Sequence, residues 1–481
     1  MHLLQPELHT RRAFLRRSGQ LGLAGTALPF ALNLAAMGEA AAFTATDYQA
    51  LVCVFLYGGN DYANTVVTYD DPSYLKYSAI RGGNGLGGGG IAIPKDALGA
   101  TLLSPTAALP GGRQYALHPA MSGLTGLFNN GKAAVQLNVG PLVVPLTRAQ
   151  YNGSNRSLYP LPPKLFSHND QQSVWQSSSP EGSTIGWGGN IGDLALSSNA
   201  NSLFTCISVT GNAVFLSGDS ALQYQVSTSG AIPINGVKSS VYGSTAVRSA
   251  LTSLIQQTSS QTLENEYNKV TTRAVTSESL VTTGIAGVNL ATPFPANNGL
   301  ADQLRMVARL IGARGTMGTK RQVFMVSMGG FDLHDNLISQ QPGLMQRLSD
   351  AMTAFHSATV ELGISDKVTA FTASDFGRTL NSNGDGSDHG WGSHHLMVGG
   401  AVKGRAFYGS APPVSNTSTA APDDQWHVGQ GRLLPSTSVD QYAATLAKWF
   451  GVSSTEIAGV LPNLGHFGGA EYPVDLGFMN A

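Results

Sequence analysis

Leu51-Val52-Cys53-Val54-Phe55-Leu56-Tyr57, followed by Gly58-Gly59-Asn60-Asp61, is the most informative stretch of the chain. A continuous apolar run of strand length has no polar face to show to water, so it suits a strand covered on both faces. Runs of the same kind recur at 133–139, 203–209, 322–328, 367–373 and 395–399, with helical patterns between them at 119–130, 168–177, 300–313, 343–362 and 438–450. Strand and helix alternating at this spacing predict an α/β domain with a largely parallel central sheet flanked by helices.

In open sheets of this class ligands collect at the carboxyl ends of the strands, which directs attention to the residues just after each run. Asp61 closes the segment after the first. Gly329-Gly330-Phe331-Asp332-Leu333-His334-Asp335 comes after 322–328, and Ser374-Asp375-Phe376-Gly377-Arg378 after 367–373. Asp388-His389-Gly390-Trp391-Gly392-Ser393-His394-His395 leads into the last run. Asp61, Asp332 and Asp375 brought to one edge would repel one another without a cation. Together with His334, His389, His394 and His395 they make a nitrogen-and-oxygen donor set for one or two divalent ions, Zn or Mn more naturally than Ca. Each Asp alone could instead cap the next helix. Ser167-His168, at the start of the pattern 168–177, is the candidate catalytic pair: backbone N–H groups at a helix start favour anions and ease ionisation of a hydroxyl beside a metal. The plainer alternative for Ser167 is an N-cap.

Composition narrows the partners. The 481 residues carry 28 Lys+Arg against 29 Asp+Glu, a net charge of -1, with no basic run to grip a phosphate backbone, so no nucleic-acid partner is expected. Charged residues are only 12% and Gly numbers 58, leaving Ser, Thr, Asn, Gln and Gly to cover the surface, as suits an exported bacterial protein. The 42% hydrophobic content argues against disorder over the whole length. The two cysteines, Cys53 and Cys206, either pair in an oxidising compartment or stay as buried thiols.

Thr10-Arg11-Arg12-Ala13-Phe14-Leu15-Arg16, the uncharged stretch to Gly38 and the small residues Ala40-Ala41-Ala42 read as a twin-arginine signal peptide over 1–42. The alternative is a basic amphipathic helix. The expected destination is the periplasm or the exterior, reached folded, with no stable membrane insertion after cleavage. In the mature chain, 43–481, residues 81–114 read as a Gly-rich surface excursion and 211–298 as a cap insertion.

These motifs together resemble the twin-arginine-exported family called domain of unknown function 1501, a proposed branch of the alkaline phosphatase, sulfatase and cofactor-independent phosphoglycerate mutase superfamily. The resemblance runs from Leu56-Tyr57-Gly58-Gly59-Asn60-Asp61 to Gly431-Arg432-Leu433-Leu434-Pro435. It implies an alkaline phosphatase/sulfatase-like fold. It further implies Asp61, Asp332 with His334, Asp375, and His394 or His395 as metal ligands, and Ser167 as nucleophile. Phe376 stands where the superfamily has a second-metal His, which removes a ligand unless His389 substitutes.

The activity expected on this basis is metal-dependent hydrolysis of a small-molecule or polymer phosphate or sulfate ester through a covalent Ser intermediate. The alternatives are a secreted metal- or partner-binding protein on the same fold, with an envelope protein as partner, and an envelope assembly factor in which the cluster only stabilises the fold.

Overall fold

The computed structural model describes residues 43, 45–83 and 89–480 of the chain. The signal-peptide reading of 1–42 falls outside the described residues.

Twelve strands are described: β1 (Gln49–Leu56), β2 (Val66–Thr68), β3 (Tyr115–Leu117), β4 (Ala133–Gly140), β5 (Cys206–Ser208), β6 (Gln223–Ser227), β7 (Gly230–Ala231), β8 (Arg321–Met328), β9 (Val368–Ser374), β10 (Ser393–Gly399), β11 (Phe407–Tyr408) and β12 (Thr437–Ser438). Ten form one sheet in the order β11-β4-β10-β9-β1-β8-β5-β6-β7, with β12 also on β4, while β2 and β3 pair apart. The pairs β9-β1, β1-β8, β8-β5 and β5-β6 are parallel, and β10 is antiparallel to both β9 and β4.

Helices cover both faces, as continuous apolar strands require. Along β1 the side chains alternate. Ala50, Val52, Val54 and Leu56 join a core with α1 (Ser122–Asn129), α6 (Gly299–Gly312) and α7 (Leu337–Glu361). Leu51, Cys53 and Phe55 join one with α2 (His168–Ser177), α3 (Trp187–Ala195) and α8 (Val439–Phe450). Local chemistry starts α6 and α8 within one residue of where the sequence places them, whereas α7 begins six residues before the expected 343. Asn298 accepts from the Ala301 N–H at the head of α6, and Ser438 with Gln441 makes a reciprocal capping box on α8.

Three expectations change. The run 203–209 keeps only three strand residues, because Ser202–Phe204 is a 3-10 turn. The stretch 81–114 is not a free excursion, since Ile91, Ala92, Ile93, Leu98 and Leu103 are buried. Residues 211–298 are not one insertion either: β6 and β7 extend the main sheet, and only the later part forms the helical arm α4 (Thr245–Gln256) and α5 (Thr262–Ala286). Cys53 and Cys206 are buried free thiols. They lie on β1 and β5 with β8 between, so two strand spacings of about 4.8 Å separate them. That exceeds the ~7 Å a disulfide can bridge.

Candidate metal centre

The carboxyl ends of β1, β8 and β9 are level, because Leu56 pairs with Met328 on one side and with Ser374 on the other. The loops leaving them therefore start at one height and crowd together. Gly58 (φ 113°) and Gly59 (φ 82°) make this possible. A Cβ on Gly58 would lie 2.4 Å from the Asp332 nitrogen, and one on Gly59 2.4 Å from the Phe376 ring.

Asp332 is the focus of the site. His334 Nε2 lies 3.0 Å and His389 Nε2 3.2 Å from its Oδ1, and His168 Nε2 lies 3.3 Å from its Oδ2. The Nε2 atoms of His334 and His389 are 2.9 Å apart. Each ring already has an oxygen at its other nitrogen. His168 Nδ1 is 2.7 Å from Asp375 Oδ2, His389 Nδ1 is 2.7 Å from the Phe166 carbonyl oxygen, and His334 Nδ1 is 3.3 Å from Asp388 Oδ1. An oxygen at Nδ1 requires an N–H there, which leaves Nε2 as the lone pair of the neutral ring. Three such atoms around one carboxylate need a proton or a cation between them. Among the described residues, His168, Asp332 and His389 form a group that could hold a metal ion, with ligand atoms all within 4.8 Å of one another.

The electrostatics fit that use. Burial opposes ionisation of Asp332, but the hydrogen bond and charge of buried Arg378, whose Nη1 donates at 2.8 Å, hold its carboxyl below the ordinary range. The hydrogen bond to Asp375 pushes His168 up, whereas burial pushes His389 down. Phe376 is buried with its ring 4.9 Å from that of His168 and 4.7 Å from that of His389, so it walls the two imidazoles. The loop leading into His168 is strained: Lys164 (φ 42°) and Phe166 (φ 73°) are left-handed without being glycine. Arg432 ties this loop to the other side, donating to the His389 carbonyl at 2.7 Å with its guanidinium 5.3 Å from the Phe166 ring centre.

The residues singled out in the sequence divide into those the structure gathers and those it does not. Asp332, His334, His389 and His168 come together. Asp375 stands behind them: it is fully buried, and its Oδ2 accepts from His168, Gln172 and the Gly58 N–H. Asp61 is used elsewhere. Its Oδ2 accepts from Arg81 Nη2 at 2.6 Å and Ser387 Oγ at 2.7 Å, and its Oδ1 caps the Asn64 N–H.

His394 and His395 are core residues. The His394 Nδ1 accepts from the Asn138 N–H, and His395 packs among Trp175 and Tyr442 with Thr372 at its Nδ1. Strand alternation turns them to opposite sheet faces, and burial pushes both down to about 3.

Ser167 heads α2, yet its side chain makes no cap bond; the hydroxyl donates to buried Asp170 at 2.9 Å.

Four residues that matter here carry no role in the sequence reading. Asp388, next to His389, and Asp170, three beyond Ser167, could be found by asking which carboxylate fixes each neighbouring group. Arg378 stands three beyond Asp375 and has no spacing rule of its own. Arg81 gives no local signal at all.

Two solved structures resemble the chain at low identity. One is Ps i-CgsB in complex with k-i-k-neocarrahexaose, at 8% identity and a TM-score of 0.36, covering 89% of this chain and 78% of that one. The other is the lipoteichoic acid synthase LtaP from Listeria monocytogenes, at 9% identity and a TM-score of 0.32, covering 86% and 74%. Similarity this low carries no argument about chemistry. No curated protein matches. The family described as "Protein of unknown function (DUF1501)" matches residues 48–460, most of the chain, and the protein belongs to that family.

Proposed function

We propose that the protein is an exported, metal-dependent hydrolase of phosphate or sulfate esters on an alkaline phosphatase/sulfatase-like fold, working through a covalent Ser167 ester. The observation that carries this reading is the convergence of three imidazole Nε2 atoms on Asp332, each ring held from behind by an oxygen. His168, Asp332 and His389, with His334 beside them, would hold the ion. Mixed imidazole and carboxylate donors suit Zn or Mn better than Ca. A bound divalent cation supplies Lewis-acid charge for the non-bridging oxygens of the ester. With Asp61 tied to Arg81 and Phe376 acting as a wall, the donors support one ion rather than two.

Ser167 is assigned as nucleophile and His168 as its neighbour in the site. As Ser167 Oγ bonds to phosphorus or sulfur, its proton passes to Asp170, the carboxylate it already donates to. The bond to the leaving oxygen breaks with its electron pair, and the alcohol departs after taking up a proton. Water then cleaves the Ser ester, releasing phosphate or sulfate. The N–H groups at the head of α2 favour the anion throughout.

Export by the twin-arginine route to the periplasm or exterior belongs to this reading. Among the described residues no helix is long and apolar enough to cross a membrane.

A second reading, a secreted metal- or partner-binding protein without turnover, is favoured by one observation: Phe376 packs its apolar ring against both His168 and His389, so it offers no ligand for a second ion there.

The test is metal analysis of the purified mature protein with a panel of aryl phosphate monoesters, diesters and sulfate esters, on wild type and Ser167→Ala. Hydrolysis lost in Ser167→Ala with metal content retained supports the hydrolase. Bound metal without turnover selects the second reading in its metal-binding form, and absence of metal sinks the hydrolase and leaves only partner binding.

A further inference from the structure

The helical arm takes no part in the centre, and its surface is unusual. Helix α4 has no buried residue. Helix α5 is 25 residues long, and its C-terminal half docks on the body through Val281 and Ile285. Its N-terminal half leaves Leu263 87%, Tyr267 67% and Val270 52% exposed, while Val247 and Leu254 of α4 are 47% and 58% exposed beside it. Exposed apolar side chains scattered singly need no explanation; five on two adjoining helices do.

Their spacing is regular. Leu263, Tyr267, Val270 and the exposed Ala274 succeed one another at intervals of four, three and four, the a/d seam of a coiled coil. Taking Tyr267 and Ala274 as a, and Leu263 and Val270 as d, puts Glu266 and Arg273 at the two g positions, both exposed. Glu266 has only a 3.7 Å contact with exposed Lys269 on its own helix. In an antiparallel pair the a position of one helix meets d of the other, and g faces g. Tyr267 then meets Val270, Leu263 meets Ala274, and Glu266 meets Arg273, each contact made twice. In a parallel pair g faces e, which would set Glu266 against Thr271 and Arg273 against Glu278, a residue already paired with Lys238 at 2.7 Å. One antiparallel register thus satisfies the apolar seam and the charges together.

We infer that the α4-α5 arm is a self-association surface on which a second copy of this chain docks with its α5 antiparallel. The two arms make a four-helix contact through one two-fold axis near residues 268 and 269, with Val247 and Leu254 on its flank.

Sedimentation equilibrium of the mature protein across the micromolar range tests this. Wild type should pass from monomer to dimer with concentration. Tyr267→Glu should stay monomeric, and so should Glu266→Arg, an exposed change that keeps the helix. Glu266→Arg combined with Arg273→Glu should restore the dimer, because the swapped charges meet again. Circular dichroism unchanged in Glu266→Arg shows that its arm is folded. A wild type that stays monomeric throughout, as it would if the surface served a different envelope protein, overturns the inference. So does a double charge swap that fails to recover what the single change lost.

Discussion

Replacing Asp61 by Asn separates a metal ligand from a buried ion-pair partner. Arg81 is fully buried, its Nη2 is 2.6 Å from Asp61 Oδ2, and Nη1 is left with only carbonyl oxygens, those of Thr379 at 3.4 Å and Leu380 at 3.2 Å. Asn would strand that cation without a counter-charge, and breaking a buried pair in this way costs about 3–5 kcal/mol. An unfolding entropy of about 2.1 cal/mol/K per residue over 481 residues comes to about 1 kcal/mol per degree. The expected fall in Tm is therefore about 3–5 °C. Metal content, read by elemental analysis on the same sample, should not change, because the Asp61 oxygens are occupied by Arg81, Ser387 and the Asn64 N–H. Asp61→Asn with Arg81→Met removes both charges at similar volume and should recover most of the loss. If Asp61→Asn instead strips the metal while Tm barely moves, Asp61 is a ligand and the ion-pair account is wrong.

Chelation gives a second handle: an ion present at about 100 times its Kd adds about 2.7 kcal/mol, so its removal should lower Tm by about 3 °C, and His389→Ala should abolish that difference. Asp440, 2% exposed, is pushed up to about 6 by burial. A raised acid stabilises the fold below its unfolded value near 3.8 and loses that contribution as pH rises through about 6, so urea titrations should show about 3 kcal/mol of stability disappearing between pH 4 and 7. Asp440→Asn should flatten that decline, and an unaltered slope would remove Asp440 as its source. Changing Arg11 and Arg12 to Lys should hold the precursor in the cytoplasm, because an ammonium cannot present the guanidinium hydrogen-bond geometry; undiminished delivery in a fractionation assay would point to another route.

Periodicity alone determined the layered α/β architecture and the positions of its main helices. The physical reason is local: an apolar run with no polar face must be covered on both sides, and a 3.6-residue pattern next to it supplies the cover. The pattern 168–177 is helix α2 to the residue, and the strand expected at 133–139 is β4 with one residue more. The sequence also marked Asp332, His334, His389 and the Ser167-His168 pair, because strand ends in such sheets are where side chains from distant segments meet. What it could not settle was which of its polar residues share a neighbour. Asp61 and Asp332 each stand two residues after a Gly-Gly pair that follows its strand, yet one faces Arg81 and the other three imidazoles. Nothing local to either Asp distinguishes them, since Arg81 lies 20 residues on and reaches Asp61 only through the packing of the segment that carries it. His394 and His395 look like ligands by composition. The alternation of β10 and the burial of both its faces make them core instead. Register and sheet order decided the rest: the level ends of β1, β8 and β9 bring residues 58, 332 and 375 into one site, and β8 between β1 and β5 keeps the two cysteines apart. Both depend on contacts between segments hundreds of residues apart, which a local pattern does not encode.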